Sequence, residues 1–350
     1  MVSIITLKNK EEWESIVGKN CEVYDMWQYV SAFEKNDDGE ATLIYKKYKN
    51  GLIYNIVFKR NISEIPEFRN DKNWFDFISP YGYAGVKVNG KITNENLKDF
   101  FKEYSEYCKN NNVISEFIRL NPLQENEKNY IFDKSFNIIY NSKTVFIKLE
   151  SQEQIWNDLK STCRNRIRKA QNNGIIIKSG FSDKMFEEFL NIYRETMNRD
   201  NAKDYYYFNE DFFNDIKLNM NNNATIVTAY LNDTAIDSVL IIYNGDNAHY
   251  HLGGTLNNYM DLGAHNYVLY EASLLSLNKG FKKFHLGGGY GGDNSPLLRF
   301  KKNFNKNGEL DFYIGKKIYN QEKYDELVNI KESIKGSKIE DNFFPKYRSD

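Results

Sequence analysis

The sequence predicts an α/β (α+β) chain of two similar domains, each a mixed central sheet flanked by helices. Three observations lead there. A chain of 350 residues exceeds one typical domain and suits two of about 150 to 200 each. Strand-like and helical periodicities alternate along its whole length, and one coarse order of elements occurs twice. Between the copies, Ser151-Gln152-Glu153-Gln154 has the spacing of a helix capping box, in which the two polar side chains satisfy the first unpaired N–H groups of a helix. The domains are therefore expected at 1–150 and 151–350.

In the first copy, 42–48 and 52–59 read as a hairpin about Asn50-Gly51, and 74–78 as a third strand. A helix is predicted over 94–110, a strand over 113–120 and a closing pair over 137–149. The second copy is clearer. A short apolar strand over 174–180 precedes helical patterns over 182–199 and 209–219. Turns at Asn232-Asp233 and Asn244-Gly245-Asp246 divide 224–231, 235–243 and 248–253 into a three-strand meander. A helix over 262–278 ends at Gly280, and a strand over 282–286, a glycine loop, a short helix over 297–304 and a strand over 310–314 complete the unit.

Composition removes several function classes. Forty-seven basic against 48 acidic residues leave a net charge of −1, so any nucleic-acid or membrane contact must use a local patch. Cys21, Cys108 and Cys163 form no C-x-x-C pair, which excludes a disulfide framework and a zinc ribbon and points to a reducing cytoplasm. No apolar run approaches the roughly 18 residues of a membrane span, and the N-terminal one is too short for a signal peptide. The 26 Tyr and 24 Phe supply large rings for a core of modest aliphatic content.

Two basic elements bear on chemistry. Between 160 and 182 lie Lys160, Arg164, Arg166, Arg168, Lys169 and Lys178 with no acid. Helical spacing sets Lys160, Arg164 and Arg168 in one row, beside an apolar stripe of Ile155, Leu159, Cys163, Ile167 and Ala170. A row of like charges suits a phosphate or carboxylate ligand, or a solvated face. The second element, Arg299, Lys301, Lys302 and Lys306, follows the loop Gly287-Gly288-Gly289-Tyr290-Gly291-Gly292-Asp293-Asn294. Glycines let backbone N–H groups approach a ligand, and Ser295-Pro296 opens a helix there. The G-x-G-x-x-G spacing is not a dinucleotide fingerprint, because no βαβ unit surrounds it.

All four histidines, His249, His251, His265 and His285, fall in the last third. Strand alternation would point His249 and His251 to one face and Tyr250 to the other. A histidine can take a proton from an acceptor ammonium, which must be neutral to attack. His251 is the candidate base and Asp293 an alternative or an orienter, unless attack needs no base. No metal is expected, since the H-x-H pair lacks partner ligands.

The element order resembles that of a GNAT (acyl-CoA N-acyltransferase) domain, here in tandem. The segments Ser79-Pro80-Tyr81-Gly82-Tyr83-Ala84-Gly85, Arg164-Asn165-Arg166-Ile167-Arg168-Lys169-Ala170, Tyr250-His251-Leu252-Gly253-Gly254-Thr255 and Phe300-Lys301-Lys302-Asn303-Phe304 resemble those of Fem-type (FemAB/FemX-like) peptidoglycan bridge transferases. They are also similar to related two-domain GNAT acetyltransferases. The resemblance implies a cleft in which an amine attacks an activated acyl ester. The donor would be aminoacyl-tRNA and the acceptor a cell-wall precursor, or the donor acyl-CoA and the acceptor a small amine or amino sugar. No tightly bound cofactor is implied. Lys301 would meet the ester end of the donor, Arg199 would grip an acceptor phosphate or carboxylate, and Tyr81 and Tyr83 would line the acceptor cleft. Arg164, Arg168, Arg299, Tyr290, Gly288 and Gly289 complete the expected binding set. The chain lacks the coiled-coil arm of the longest Fem members, as Asn172-Asn173-Gly174 turns straight into a strand. In the acyl-CoA reading, Gly263-Ala264 fits the pyrophosphate turn, although Asp261 carries the wrong charge. A catalytically silent binder of a phosphorylated precursor or RNA is the alternative outside enzymes.

Overall fold

Strands and helices alternate in the computed structural model, which describes residues 1–36, 39–290, 292–340 and 343–349. Contacts divide the chain into two compact units. One comprises Met1–Lys19, Tyr24–Asn141 and Phe312–Asp350, and the other Asn20–Val23 and Ser142–Asp311. Sequence periodicity drew the division at 150 and 151. The chain passes from the first unit to the second within 137–148, which is one continuous strand rather than a pair. The last residues belong with the first unit because Tyr324, Leu327 and Tyr347 bury themselves among its Ile62, Phe68 and Ile114.

The first unit contains β1 (Ser3–Thr6), α1 (Lys10–Val17), α2 (Trp27–Glu34), β2 (Gly39–Tyr48), β3 (Gly51–Asn61), β4 (Phe75–Ile78), β5 (Lys87–Gly90), α3 (Asn94–Asn110) and β6 (Val113–Arg119). Its sheet runs β1-β2-β3-β4-β6, with β5 paired to β3 beside β4 and with β4 and β6 parallel. The predicted β2–β3 hairpin forms, but Gly51 is already paired to Tyr48. A Cβ at Gly51 would lie 2.4 Å from the Asn89 carbonyl, so the approach of β5 is what demands glycine. Helix α3 is capped at Thr93, whose hydroxyl accepts from Asn96 N–H at 3.2 Å while Asn96 accepts from Thr93 N–H at 3.1 Å. It buries Phe100, Phe101, Tyr104 and Cys108 against Ile44, Ile53, Val57 and Ile118. Each such ring contributes about 1.5–3 kcal/mol of burial.

Within that core lies Glu116, fully buried. Its carboxyl accepts from Tyr104 Oη at 2.8 Å, Asn55 Nδ2 at 3.1 Å and Tyr319 Oη at 2.5 Å. Burial outweighs these donors and pushes its pKa up to about 7.

The second unit contains β7 (Asn137–Lys148, from Ser142), α4 (Gln152–Asp158), α5 (Ser161–Asn172), β8 (Ile176–Gly180), α6 (Asp183–Arg199), α7 (Glu210–Asn219), β9 (Ala224–Leu231), β10 (Thr234–Asn244), β11 (Asn247–Thr255), α8 (Ala264–Asn278), β12 (Lys283–Gly288) and α9 (Pro296–Lys301). The remaining β13 (Glu309–Ile318) is divided between the units, its later residues pairing with β6, and α10 (Gln321–Lys335) lies in the first. The second unit's sheet runs β7-β12-β11-β10-β9-β8, antiparallel except for the parallel β11–β12 pair. Ser182 and Asn209 cap α6 and α7, which explains why the helical patterns begin at them.

The basic row of the sequence does not form. Leu159 and Lys160 are extended, with ψ of 141° and 153°, and Lys160 stands outside α5 as its N-cap. The apolar stripe survives the break: Ile155, Leu159, Cys163, Ile167 and Ala170 are all buried with α8 and the sheet. Among the described residues no helix is long and apolar enough to cross a membrane.

The Glu116 environment predicts a pH signature. Between carboxylate pKa values of 4.5 unfolded and about 7 folded, the native chain holds a proton that the unfolded chain has lost, so this group's contribution to stability falls as pH rises. Glu116→Gln should therefore gain stability relative to wild type on going from pH 5 to pH 8, by about 3 kcal/mol at most. Denaturant midpoints across that range check it, and parallel curves for the two proteins would refute it.

Candidate active site

The parallel ladder between β11 and β12 covers Asn247–His249 opposite Lys283–His285. Beyond it the two strands continue as 250–255 and 286–288. Irregularities in register flank this divergence. One residue of β11, His251, is skipped opposite Leu240 and Ile241, Ile236 is skipped in β10, and Leu286 is skipped in β12. Such bulges re-aim side chains that strict alternation would send elsewhere. The skip at His251 is why the expected division, His249 and His251 on one face and Tyr250 on the other, is interrupted.

Lys301 ends α9 and turns back on β12. Its buried ammonium donates to the Gly288 carbonyl at 2.7 Å and lies 5.4 Å from the centre of the Tyr250 ring. Burial pushes its pKa down to about 7. The helix that carries it starts where expected: Ser295 Oγ accepts from Leu298 N–H at 3.2 Å and Pro296 takes the first helical position. Gly289 permits this, since a Cβ there would stand 1.8 Å from Ser295 Oγ.

Next to Tyr250, a chain of hydrogen bonds crosses the sheet. Tyr250 Oη meets His265 Nε2 at 3.4 Å. His265 Nδ1 lies 3.1 and 3.0 Å from the two oxygens of Asp237, a fully buried carboxylate. The Thr255 hydroxyl, from the residue paired with Asp237 across the ladder, donates to the same carboxylate. Arg199, at the end of α6, donates from Nη1 to the Thr255 carbonyl at 2.6 Å and from Nε to Asp200 at 2.8 Å. Lys301 and Arg199, assigned separately from sequence, thus stand at the two ends of one connected set. The sequence pattern singles out none of Asp237, Thr255 and His265: His265 is one of four histidines and Thr255 ends a family-like segment. The available signal was Asp237 itself, an acid inside the apolar run Ala235 to Tyr243.

The other expected residues are placed as follows. His251 is half-buried, and burial, with the charge of His249, pushes its pKa down to about 3, so it is neutral at ordinary pH. Asp293 is exposed, and its Oδ1 accepts from Lys143 N–H at 2.7 Å. Arg164 is turned inward and donates to the Leu159 carbonyl at 2.6 Å. Arg168 lies over the Trp156 ring, 5.3 Å from its centre. Arg299 and Tyr290 are exposed, the latter edge-on to Tyr206. Gly291 lies outside the described residues. Tyr81 and Tyr83 belong to the first unit, where Tyr81 stacks on Phe33 at 5.3 Å and Tyr83 packs edge-on to Tyr24 and Phe312. Burial pushes the Tyr83 hydroxyl pKa well up.

At the start of α8, Gly263 adopts φ +79°, and a Cβ there would lie 2.4 Å from the Arg166 carbonyl. Arg166 Nη1 donates to the Asp261 carbonyl at 3.0 Å, and no side chain caps the helix. Among the described residues no group of three or more His, Cys, Asp and Glu is arranged to hold a metal ion.

Residues 157–302 match the family model described as acetyltransferase (GNAT) domain. No curated protein matches the chain. Among solved structures the chain is similar to FemX, with 13% identity, TM-score 0.64, and coverage of 93% of this chain and 99% of that one. It is also similar to the C-terminal domain of a putative lysylphosphatidylglycerol synthetase from Agrobacterium fabrum, with 10% identity, TM-score 0.59 and coverage of 90% and 93%. A conserved protein of unknown function from Bacteroides thetaiotaomicron gives 12% identity, TM-score 0.58 and coverage of 90% and 99%. At these identities the likeness is one of fold. The chain is thus an acyltransferase whose residues 157–302 form a GNAT domain, within a two-domain architecture of the FemX fold.

Proposed function

We propose that the chain forms an amide bond by Fem-like transfer of an aminoacyl group from aminoacyl-tRNA to an amine of a peptidoglycan precursor. The observation that carries this reading is the buried Lys301 beside Tyr250 where β11 and β12 part, in a chain of FemX fold. Attack of an amine on an ester carbonyl gathers negative charge on the carbonyl oxygen. A lysine held out of water stabilises that charge more than a solvated one would. Arg199, whose Nη1 meets the Thr255 carbonyl and whose Nε and Nη2 both meet Asp200, offers its remaining N–H donors to a carboxylate or phosphate of the acceptor. His251 and Asp293 stand as secondary candidates, one neutral near the bulge and the other anchored to Lys143.

A second reading has its own support. The uncapped start of α8 with the Arg166 guanidinium beside it offers the backbone N–H groups and positive charge that a pyrophosphate needs. In that reading acyl-CoA is the donor and a small amine or amino sugar the acceptor. Calorimetry with acetyl-CoA and with charged tRNA separates the two: the first reading expects a tRNA affinity that falls steeply with salt, and the second expects acetyl-CoA binding lost in Arg166→Ala.

Purified protein should move a labelled aminoacyl group from tRNA to a muropeptide amine. Lys301→Met should lower kcat by about 10²-fold or more, and wild-type kcat in the variant would remove Lys301 from the reaction.

Lys301 also predicts a stability effect independent of any substrate. Between pH about 7 and its ordinary pKa of 10.5, the unfolded lysine holds a proton that the folded one lacks, so this group's contribution to stability rises with pH. Lys301→Met should be a few kcal/mol more stable than wild type at pH 7, with the difference shrinking toward pH 10. Equal stabilities at both values would contradict a buried, desolvated ammonium.

A further inference from the structure

Asp237 lies inside a strand otherwise made of apolar and small residues, and is wholly removed from solvent. An ionised carboxylate there is costly unless it is paired. Its partners are the Thr255 hydroxyl and His265 Nδ1. A carboxylate accepts hydrogen bonds only, so Nδ1 must carry the imidazole proton, and the Nε2 lone pair is left to receive the Tyr250 hydroxyl. Phe300, 5.5 Å from the imidazole centre, packs against the same ring. Tyr250 then faces Lys301 across the divergence of β11 and β12.

We propose that Tyr250 is a catalytic residue of the acyl transfer and that His265 and Asp237 are its positioning residues, the three forming a proton relay. The proposal rests on the amine-acyl-transfer reading above, whichever donor is used. The neutral amine's lone pair forms the N–C bond, and the carbonyl π pair moves to oxygen near Lys301. The excess proton on nitrogen passes to the Tyr250 oxygen as the Tyr250 proton passes to His265 Nε2. The imidazolium so formed lies against Asp237. Collapse of the tetrahedral centre breaks the bond to the ester oxygen or thioester sulfur, and the proton returns through Tyr250 to the leaving group. The relay ends in its starting state, so no proton is gained or lost by the enzyme. The 3.4 Å separation of Tyr250 and His265 suits a resting site that tightens on binding substrate.

Among the described residues the charged and titratable groups facing the relay are Asp237 from β10, His265 from α8, Lys301 from α9, Tyr193 from α6 and, through the Thr255 carbonyl, Arg199 from α6. Asp237→Asn leaves the other groups in place, so a fall in kcat at constant KM reports on the support of His265. The test measures kcat and KM from pH 5 to pH 9 for wild type, Tyr250→Phe, His265→Gln, the double variant and Asp237→Asn, using the labelled donor that wild type turns over. Tyr250→Phe keeps the ring and its packing. It should lower kcat about 10²-fold or more with KM unchanged. The double variant should lose no more than either single one, as residues acting as a unit do. Asp237→Asn should lower kcat with KM unchanged, because the imidazole loses the acceptor that fixes its proton on Nδ1.

If Asp237→Asn does not fold, Tyr250→Phe and the double variant decide. Full kcat in Tyr250→Phe, or additive losses in the double variant, would overturn the relay alone. Absence of wild-type turnover with both aminoacyl-tRNA and acetyl-CoA would overturn the transfer reading, and the relay with it.

Discussion

A carboxylate buried in an apolar sheet governs the second unit of this chain. Asp237 survives there because the β10–β11 ladder, in register from Leu240–Leu252 beyond the skip at His251, sets it opposite Thr255 and because His265 lies within reach. Those partners in turn fix other groups. Thr255 hands its carbonyl to Arg199, and His265 holds Tyr250 from the first turn of α8. Helices α6 and α8 are therefore tied to one another through polar contacts at the same strand ends, in addition to their apolar packing on the sheet. Single buried polar networks of this kind are stable only when every member is satisfied.

Chemistry follows from the divergence of β11 and β12. Two parallel strands that stop pairing form a divergence whose facing edges no longer bond to one another. Here its edges are furnished with Tyr250 on one side and the Gly288 carbonyl, holding Lys301, on the other. In the proposed transfer a lysine kept from water meets the oxyanion, and a hydroxyl backed by imidazole and carboxylate moves the proton. The cost of burying Lys301 and Asp237 is borne by a core of Leu, Ile and Phe from α5, α8 and the sheet.

Much of the fold was legible in the sequence because local signals agreed with it. Ser182, Asn209 and Ser295 announced helix starts and became caps. The meander over 224–255 followed from apolar runs separated by turn residues. The break between α4 and α5 was hidden, since Leu159 and Lys160 are ordinary helix formers and the apolar stripe stays in phase across them. For the same reason Lys160, Arg164 and Arg168 read as one charged row, although Arg164 is spent on the carbonyl of Leu159. At the candidate site, Lys301 and Arg199 have roles by resemblance, whereas Asp237 and His265 have none and Thr255 belongs only to a family-like segment. Their meeting depends on register slips, and no bulge at Ile236 or His251 is marked by glycine or proline. Distance along the chain concealed the rest, as Asp237 and His265 are joined only through tertiary packing.

The most direct test of this account is a crystal structure of the chain with a non-transferable donor analogue, an aminoacyl-adenosine amide or a CoA thioether. The expected result is the carbonyl equivalent where β11 and β12 part, in contact with Lys301 Nζ and the Tyr250 hydroxyl. An analogue bound with its acyl end away from both groups, or held by the first unit alone, would contradict it.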